Sequence, residues 1–260
     1  MRIVTTGAGT ILETARTILC VQPHPDDTDI ALGATMAMLA AGGAAITYLS
    51  VTDDAAGLRG SDALLPYEQR VELRRAEQQR AAGILGVKTV LELGFPDAGN
   101  WSEYEARERI VDVIRAVRPE VVLTVDPWLR WEAHGDHRKT GFAAAEAVLL
   151  HQFPCAGSTA VDPEFAVKMI GFYFTDQPDT WIDAGAFRDR KLGAWEAHQS
   201  QFTPEELASL DDQDRRQGAV YGAVLSSPWA EALRCMDPDS LHIRPTWQHT
   251  PQQTDRSTKR

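Results

Sequence analysis

The stretch TILCVQPHPDD, residues 17–27, indicates the fold most directly. Its first five residues are apolar or β-branched, which is typical of a strand buried on both faces in a parallel sheet. Helical spacing of small and apolar residues follows over residues 30–41. His24, Asp26 and Asp27 are therefore expected where a buried strand gives way to a helix.

A second stretch repeats this arrangement. The sequence VVLTV at residues 121–125 reads as another buried strand, HGDH follows at 134–137, and helical spacing begins at about Arg138. In an open α/β sheet, the carboxyl ends of parallel strands form the ligand crevice. We therefore expect the side chains of the two segments to meet at one edge of the sheet.

The rest of the chain continues this alternation, which predicts an α/β fold with a mainly parallel sheet. Further strands are predicted at 45–51, 89–93 and 167–175, and helices at 67–85, 103–117, 186–199 and 204–216. We expect a single domain over residues 1–244. Residues 245–260 contain mostly Pro, Gln, Thr and charged side chains without apolar periodicity, which predicts a mobile tail.

Three side chains of the two segments match the ligands of a hydrolytic zinc centre. A catalytic zinc takes three protein ligands from His and Asp or Glu and keeps a fourth position for water. His24, Asp27 and His137 supply such a set of two histidines and one carboxylate. We predict one Zn²⁺ per chain, with Fe²⁺ or another divalent metal as the alternative that this ligand set also admits.

The other polar residues of these segments are candidates for acid and base catalysis. Asp26 is the candidate general base for a water whose pKa falls to about 7 on zinc. His134 is the candidate donor to the oxyanion or the leaving amine, and Asp136 is expected to hold its tautomer through the other ring nitrogen. Taken alone, an Asp-Asp pair before a helix is more often a helix cap, so only the two segments together favour catalysis.

Together the segments resemble the signatures of the LmbE-like, or PIG-L, family of zinc-dependent N-acetyl-sugar deacetylases. Other segments follow in the family's order and extend the resemblance over most of the chain: Thr52-Asp53, 55–57, Arg74 with Glu77, 85–87, Pro96-Asp97, and Lys191 followed by 198–201. The resemblance implies a Rossmann-like three-layer fold, one zinc ion, and removal of acetyl from an N-acetylglucosamine-type glycoconjugate. It also implies a homo-oligomer, trimeric or hexameric.

The same resemblance implies that Arg74 and Asp97 contact substrate, and we group Asp53 with them. Each has a structural alternative. Asp97 lies in a segment of turn composition, FPDAG. Arg74 has the spacing for an exposed helical ion pair with Glu77 or Glu72.

The chain also departs from the family pattern. Four positions differ, none of them a predicted ligand: Asp29 for Glu, Asp54 for Gly, Glu132 for the Tyr of some members, and Gly135 for Pro. Trp128 and Trp131 precede the second segment and would suit either a platform for a sugar ring or packing.

The composition favours a cytoplasmic enzyme acting on a small molecule. The formal net charge is −11 and no stripe of Lys or Arg is present, which disfavours nucleic acid and anionic membranes as partners. Three widely separated cysteines argue against a disulfide framework, and the N-terminus lacks a secretion signal. The uncharged residues 30–52 are long enough to cross a bilayer, but Gly42-Gly43 divides them into a helix and a strand.

Two functional alternatives remain. An amidase of the same zinc chemistry could cleave a bulkier sugar-thiol conjugate. A metal-dependent sugar receptor is the other, although a receptor needs neither the base Asp26 nor the donor His134. Residues 53–66, which contain Gly57 and Gly60 between a strand and a helix, are predicted to form a lid.

Overall fold

The computed structural model of the protein describes residues 2–242, so the predicted tail lies outside the described residues. Eight strands and six α-helices alternate along the described chain. The strands are β1 (Arg2–Thr5), β2 (Thr17–Gln22), β3 (Ala45–Thr52), β4 (Thr89–Phe95), β5 (Val121–Val125), β6 (Met169–Tyr173), β7 (Thr180–Asp183) and β8 (Glu231–Met236). The helices are α1 (Asp27–Ala41), α2 (Tyr67–Leu85), α3 (Glu103–Val117), α4 (Gly135–Leu150), α5 (Arg188–Glu196) and α6 (Pro204–Leu225).

All eight strands form one mixed sheet in the order β1-β7-β8-β6-β5-β2-β3-β4. The five strands from β6 to β4 pair in parallel, and β8, β7 and β1 extend the sheet in antiparallel pairs. The predicted α/β class with a mainly parallel sheet is therefore confirmed. The three antiparallel strands were not predicted.

Two hydrophobic clusters lie on opposite faces of the sheet. Strand β2 contributes to both, because Ile18 and Cys20 point into one cluster and Leu19 and Val21 into the other. Helices α1, α2 and α5 cover the first face, and α3 and α4 cover the second. This three-layer arrangement explains why the strand run is apolar at successive positions.

The position of β2 fixes where a ligand can enter. Strand β2 pairs with β3 on one side and with β5 on the other, both in parallel. The order of the parallel strands therefore reverses at β2, and a crevice opens between the carboxyl ends of β2 and β5. Both histidine-containing segments follow those two strand ends.

Helix α6 is longer than predicted, ending at Leu225 instead of near residue 216. Its C-terminal half carries Gly218 and Gly222, which face the chain segment around Trp229. A Cβ atom on Gly218 would lie 1.9 Å from Nε1 of Trp229. The two glycines therefore permit a close approach that an ordinary helical residue would prevent.

The uncharged residues 30–52 form parts of α1 and β3, as predicted, with Gly43 at φ 90° in the turn between them. Within residues 2–242, none of the helices combines the length and the apolar character that spanning a bilayer requires.

Candidate metal centre

Helix α1 places the first two predicted ligands together. His24 lies in the loop after β2, and Asp27 is the first residue of the helix. The Oδ2 atom of Asp27 accepts the backbone N–H of His24 at 2.9 Å and lies 3.2 Å from Nδ1 of its ring. Both side chains are buried, and the start of a helix favours a carboxylate through its dipole.

The third predicted ligand reaches the same point from α4. The Nε2 atom of His137 lies 3.4 Å from Oδ1 of Asp27, and its ring centroid lies 5.3 Å from that of His24. One ligand atom from each of the three residues falls within 4.8 Å of the others. The two segments therefore converge as the crevice argument predicted.

The surroundings of His24 fit a cation. Its Nε2 atom is buried without a hydrogen bond of good geometry to any residue between 2 and 242, 3.3 Å from Oδ1 of Asp97 and 3.6 Å from Oδ2 of Asp136. Burial lowers the pKa of His24, but the nearby carboxylates of Asp136, Asp27 and Asp97 outweigh this effect and raise that pKa well above its usual value. The carboxylates thus attract positive charge to the point where the predicted ligands meet.

A second, overlapping group of possible ligands shares His24. It adds Asp97, His134 and Asp136 on the side of the ring that faces away from Asp27. Asp97 also accepts the backbone N–H of Ala56 through Oδ2 at 3.0 Å. Asp97 therefore lies beside the predicted metal ligands, and its contact with substrate stays a prediction.

Asp26 occupies a constrained position beside these ligands. It precedes α1 with φ 111°, in the left-handed region that non-glycine residues rarely adopt. Its backbone N–H donates to Oε1 of Gln78 at 3.0 Å, and its carboxylate lies 3.1 Å from Nη2 of Arg74. Burial raises the pKa of Asp26 well above its usual value, while Arg74 opposes the rise. The carboxyl is thus held in place and favours taking up a proton.

Arg74 contacts Asp26, and its side chain is completely buried. Its guanidinium donates to Asp54 at 2.6 Å, to Glu77 at 2.6 Å and to the carbonyl of Pro25 at 2.6 Å, in addition to Asp26. Arg74 does pair with Glu77, but the pair is buried and not exposed as the structural alternative had it. Substrate contact by Arg74 stays a prediction.

Asp54, one of the departures from the family pattern, is the second carboxylate on Arg74. Burial raises the pKa of Asp54 to about 6, and Arg74 limits the rise. Its backbone adopts φ 55°, which glycine favours. Asp54 and Asp26 therefore share one buried cation.

The structure corrects the role predicted for Asp136. Its carboxylate accepts the backbone N–H of Ala98 at 2.8 Å and Nε1–H of Trp101 at 2.9 Å, and does not bond His134. The Nδ1 atom of His134 instead accepts the backbone N–H of Asp136 at 3.3 Å. The tautomer is therefore set by the backbone at the start of α4, and the proton of the neutral ring is on Nε2.

His134 is close to the predicted ligands, with its ring centroid 4.8 Å from that of His24 and 5.0 Å from that of His137. Partial burial lowers the pKa of His134, and the neighbouring rings of His24 and His137 lower it further. His134 is therefore neutral at pH 7 and can donate an N–H bond.

Asp53 has a supporting position. Its Oδ1 atom accepts the backbone N–H groups of Ala55 at 3.0 Å and Asp97 at 3.3 Å, and Oδ2 accepts the hydroxyl of Tyr67. The carboxylate thus ties the loop after β3 to the loop after β4 and to α2. Substrate contact by Asp53 stays a prediction.

The two tryptophans before the second segment have different surroundings. The ring of Trp128 packs edge to face on Phe142 and Phe172, with centroids 5.5 and 5.3 Å apart. Trp131 is 91% exposed and adopts φ 73°. Packing therefore accounts for Trp128, while the ring of Trp131 remains accessible to a ligand.

Glu132 has a contact that the sequence analysis missed. Its Oε1 atom accepts the backbone N–H of His134 at 2.7 Å, and Oε2 lies 3.3 Å from Nδ1 of His137. A metal-bound histidine usually donates its second N–H to a carboxylate or carbonyl. The signal in the sequence is that an acidic residue lies two positions before the HGDH segment.

A comparison with protein-family models matches residues 19–148 to PIG-L, described as GlcNAc-PI de-N-acetylase. The chain belongs to the PIG-L family. The resemblance inferred from the sequence is thus confirmed, together with the fold class and the prediction of an amide-hydrolysing deacetylase.

Two curated relatives of this PIG-L protein match over most of their length. It is 37% identical to the diacetylchitobiose deacetylase of Thermococcus kodakarensis, over 88% of this chain and 86% of that protein. It is 35% identical to the 1D-myo-inositol 2-acetamido-2-deoxy-alpha-D-glucopyranoside deacetylase of Streptomyces griseus, over 85% and 74% of the two chains.

Among solved structures, the N,N'-diacetylchitobiose deacetylase of Pyrococcus horikoshii, complexed with its inhibitor MPG, superposes with a TM-score of 0.84. It is 30% identical, and the superposition covers 93% of this chain and 91% of that chain.

Proposed function

We propose that this PIG-L protein is a zinc-dependent N-deacetylase that hydrolyses the acetamide of an N-acetylated amino sugar, giving acetate and a free amine. The observation that carries the proposal is the convergence of His24, Asp27 and His137 beside a buried carboxyl that favours a proton, Asp26. The curated relatives are deacetylases of N-acetylglucosamine-type compounds, which supports this substrate class.

His24, Asp27 and His137 would hold the zinc ion, and their donor set leaves a position for water. When bound, zinc supplies a Lewis acid and lowers the pKa of a coordinated water. The carboxylates of Asp97 and Asp136 lie near Nε2 of His24. They orient that ring and add negative charge to the centre.

The protein residues account for the proton transfers. Asp26 accepts a proton as water attacks the acetamide carbonyl carbon, and a hydrogen bond from Arg74 holds the carboxyl of Asp26 in place. The N–H of His134 at Nε2 donates to the carbonyl oxygen as negative charge develops there. The proton on Asp26 then passes to the nitrogen as the C–N bond breaks, so that the amine leaves neutral.

A cytoplasmic location and a homo-oligomeric assembly complete the proposal. The free cysteines Cys20, Cys155 and Cys235 are compatible with a reducing compartment. The mobile lid over residues 53–66 also stays a prediction.

The test is release of primary amine from a panel of N-acetylglucosamine derivatives by protein prepared with and without one equivalent of Zn²⁺. We expect release that requires the metal and is lost in His137→Ala. No release from any derivative, despite one tightly bound metal per chain, would favour the amidase of a bulkier conjugate.

A further inference from the structure

Helix α1 is broken one turn after the predicted metal ligand that it carries. Leu32 adopts φ −133° and ψ 20°, outside the helical range. The helix therefore consists of a first turn, residues 27–31, and a second segment, residues 33–41. Asp27 lies in the first turn. Because regular helical geometry does not continue through Leu32, the position of the first turn depends on contacts with other parts of the protein.

The second segment begins with a cap from a distant strand. Glu231, at the start of β8, accepts the backbone N–H of Ala34 at 3.2 Å and that of Thr35 at 2.7 Å. These are the second and third N–H groups of a helix that starts at residue 33, which are the groups that a capping side chain normally accepts. Lys191 from α5 lies 2.8 Å from Glu231 and balances its charge. The second segment is thus anchored as a helix of its own.

The first turn is held by other side chains, from α5 and the residues that follow it. The Nε1–H of Trp195 donates to the backbone carbonyl of Asp29 at 2.9 Å. The Nε2 atom of His198 lies 3.0 Å from Oδ2 of the same residue, and Gln78 of α2 donates to this oxygen at 3.2 Å. The side chains of Trp195 and His198 are buried. The backbone and the side chain of Asp29, two positions after Asp27, are therefore both fixed.

His198 also connects the first turn to the residue that holds the candidate base. Burial lowers the pKa of His198, and the neutral ring carries its proton on Nε2 because a carboxylate only accepts hydrogen bonds. Its Nδ1 atom is then the acceptor for Arg74, whose Nη1 lies 3.3 Å away and whose Nη2 bonds Asp26. His198 lies in one of the segments on which the family resemblance rests, and the reaction proposed above gives it no role.

We propose that Trp195 and His198 are positioning residues for the metal centre. They hold the first turn of α1 in place independently of the second segment, and this turn carries Asp27, one of the three predicted ligands. The inference rests on the proposed function, which identifies the ligands. It adds that α5, which supplies no ligand, sets where the carboxylate of Asp27 meets the two histidines.

Hydrogen exchange of the metal-free protein, resolved along α1, tests whether the first turn is held in this way. Trp195→Phe keeps an aromatic ring and removes one hydrogen bond, so the amides of residues 28–32 are expected to exchange about 5-fold faster. The amides of residues 35–41 have their own anchor and are expected to stay within about 2-fold. Equal rates in the first turn, or the same increase along the whole of α1, would overturn the proposal.

Two further variants separate this effect from a general loss of packing. Trp229→Phe is the matched control, because Trp229 is also buried and its Nε1–H donates to a backbone carbonyl, that of Asp214, at 3.2 Å. It should leave exchange in the first turn unchanged. His198→Asn loses the Nε2–H that reaches Asp29 and should reproduce the effect of Trp195→Phe. Equally fast exchange of the first turn in Trp229→Phe would overturn the assignment to these two residues.

Zinc affinity tests whether the position of the turn matters to the ligand. In competition with a chromophoric chelator, Trp195→Phe is expected to bind Zn²⁺ about 5-fold more weakly than Trp229→Phe, because binding must then also order the turn that carries Asp27. Equal affinities in these two variants of a zinc-binding protein would overturn the positioning role alone. Absence of zinc binding in the wild type would overturn the proposed function and this role together with it.

Discussion

The contact between Glu132 and His137 predicts that a residue outside the ligand set controls metal affinity. Glu132→Gln keeps the size of the side chain and the bond to the backbone of His134, but removes the negative charge 3.3 Å from Nδ1 of His137. Two unit charges at that distance interact by about 1.3 kcal/mol in water and about 5 kcal/mol at an effective dielectric constant of 20.

The partial exposure of the two side chains and the small charge on the imidazole ring narrow this range of interaction energies. The side chains of Glu132 and His137 are 20% and 15% exposed, and a neutral imidazole N–H carries only part of a unit charge. We therefore expect a loss of about 1.4 to 2.7 kcal/mol, equivalent to a 10- to 100-fold weaker affinity for Zn²⁺, as is usual for a partner of a metal-bound histidine.

The assay is competition between the metal-free protein and a chromophoric chelator of known Zn²⁺ affinity. Glu164→Gln, an exposed glutamate far from the centre in sequence, is the control and should match the wild type. An affinity within 2-fold of the wild type in Glu132→Gln would refute the role of Glu132 in orienting His137.

Three further predictions concern stability, measured by urea unfolding. Arg74→Met should cost about 3 to 5 kcal/mol because it leaves buried carboxylates without their cation, whereas exposed Arg80→Met should cost little. Gly218→Ala should cost about 1 to 3 kcal/mol through overlap with Trp229, whereas Gly83→Ala, with open space around it, should be neutral or stabilising. Asp112 accepts bonds from residues 158 and 159, which hold its pKa at about 2, below the unfolded value of about 3.9. Its contribution is therefore complete above pH 4 and lost as the pH falls through 2, so Asp112→Asn should destabilise clearly at pH 6 and much less at pH 2.5. Equal effects at both pH values would contradict this assignment.

The sequence predicted the convergence of His24, Asp27 and His137 because each lies between a strongly apolar strand and the first turn of the helix that follows it. Parallel strands bring their carboxyl ends to one edge, so the spacing along the chain did not matter. The location of the centre thus followed from two local patterns and one rule of topology.

The surroundings of these residues were harder to predict, because they depend on loops that are distant in sequence. Asp136 was assigned to His134 on proximity in the chain, but its partners are Ala98 and Trp101 from the loop after β4 and the segment before α3. Arg74 lies in a helix rich in charged residues. Nothing in that helix indicates that Arg74 is buried and pairs with Asp54 from the loop after β3.

The antiparallel edge of the sheet was missed for a different reason. Strands β1 and β7 have only four residues each, too few to show a period. Strand β8 alternates buried and half-buried residues, but its first buried residue is Glu231, whose partner Lys191 comes from α5. Because the buried residue Glu231 is charged, β8 lacks the alternation of apolar and polar residues from which a strand is predicted.

The catalytic proposal is tested most directly by comparing Asp26→Asn with the wild type in two measurements on the same preparation, bound Zn²⁺ and amine release from N,N'-diacetylchitobiose. Because the proposed role of Asp26 is to take the proton and not to hold the metal, we expect one equivalent of zinc to be retained and turnover to fall by about 10²- to 10⁴-fold. Full turnover in the variant, or loss of zinc in proportion to loss of activity, would contradict the account.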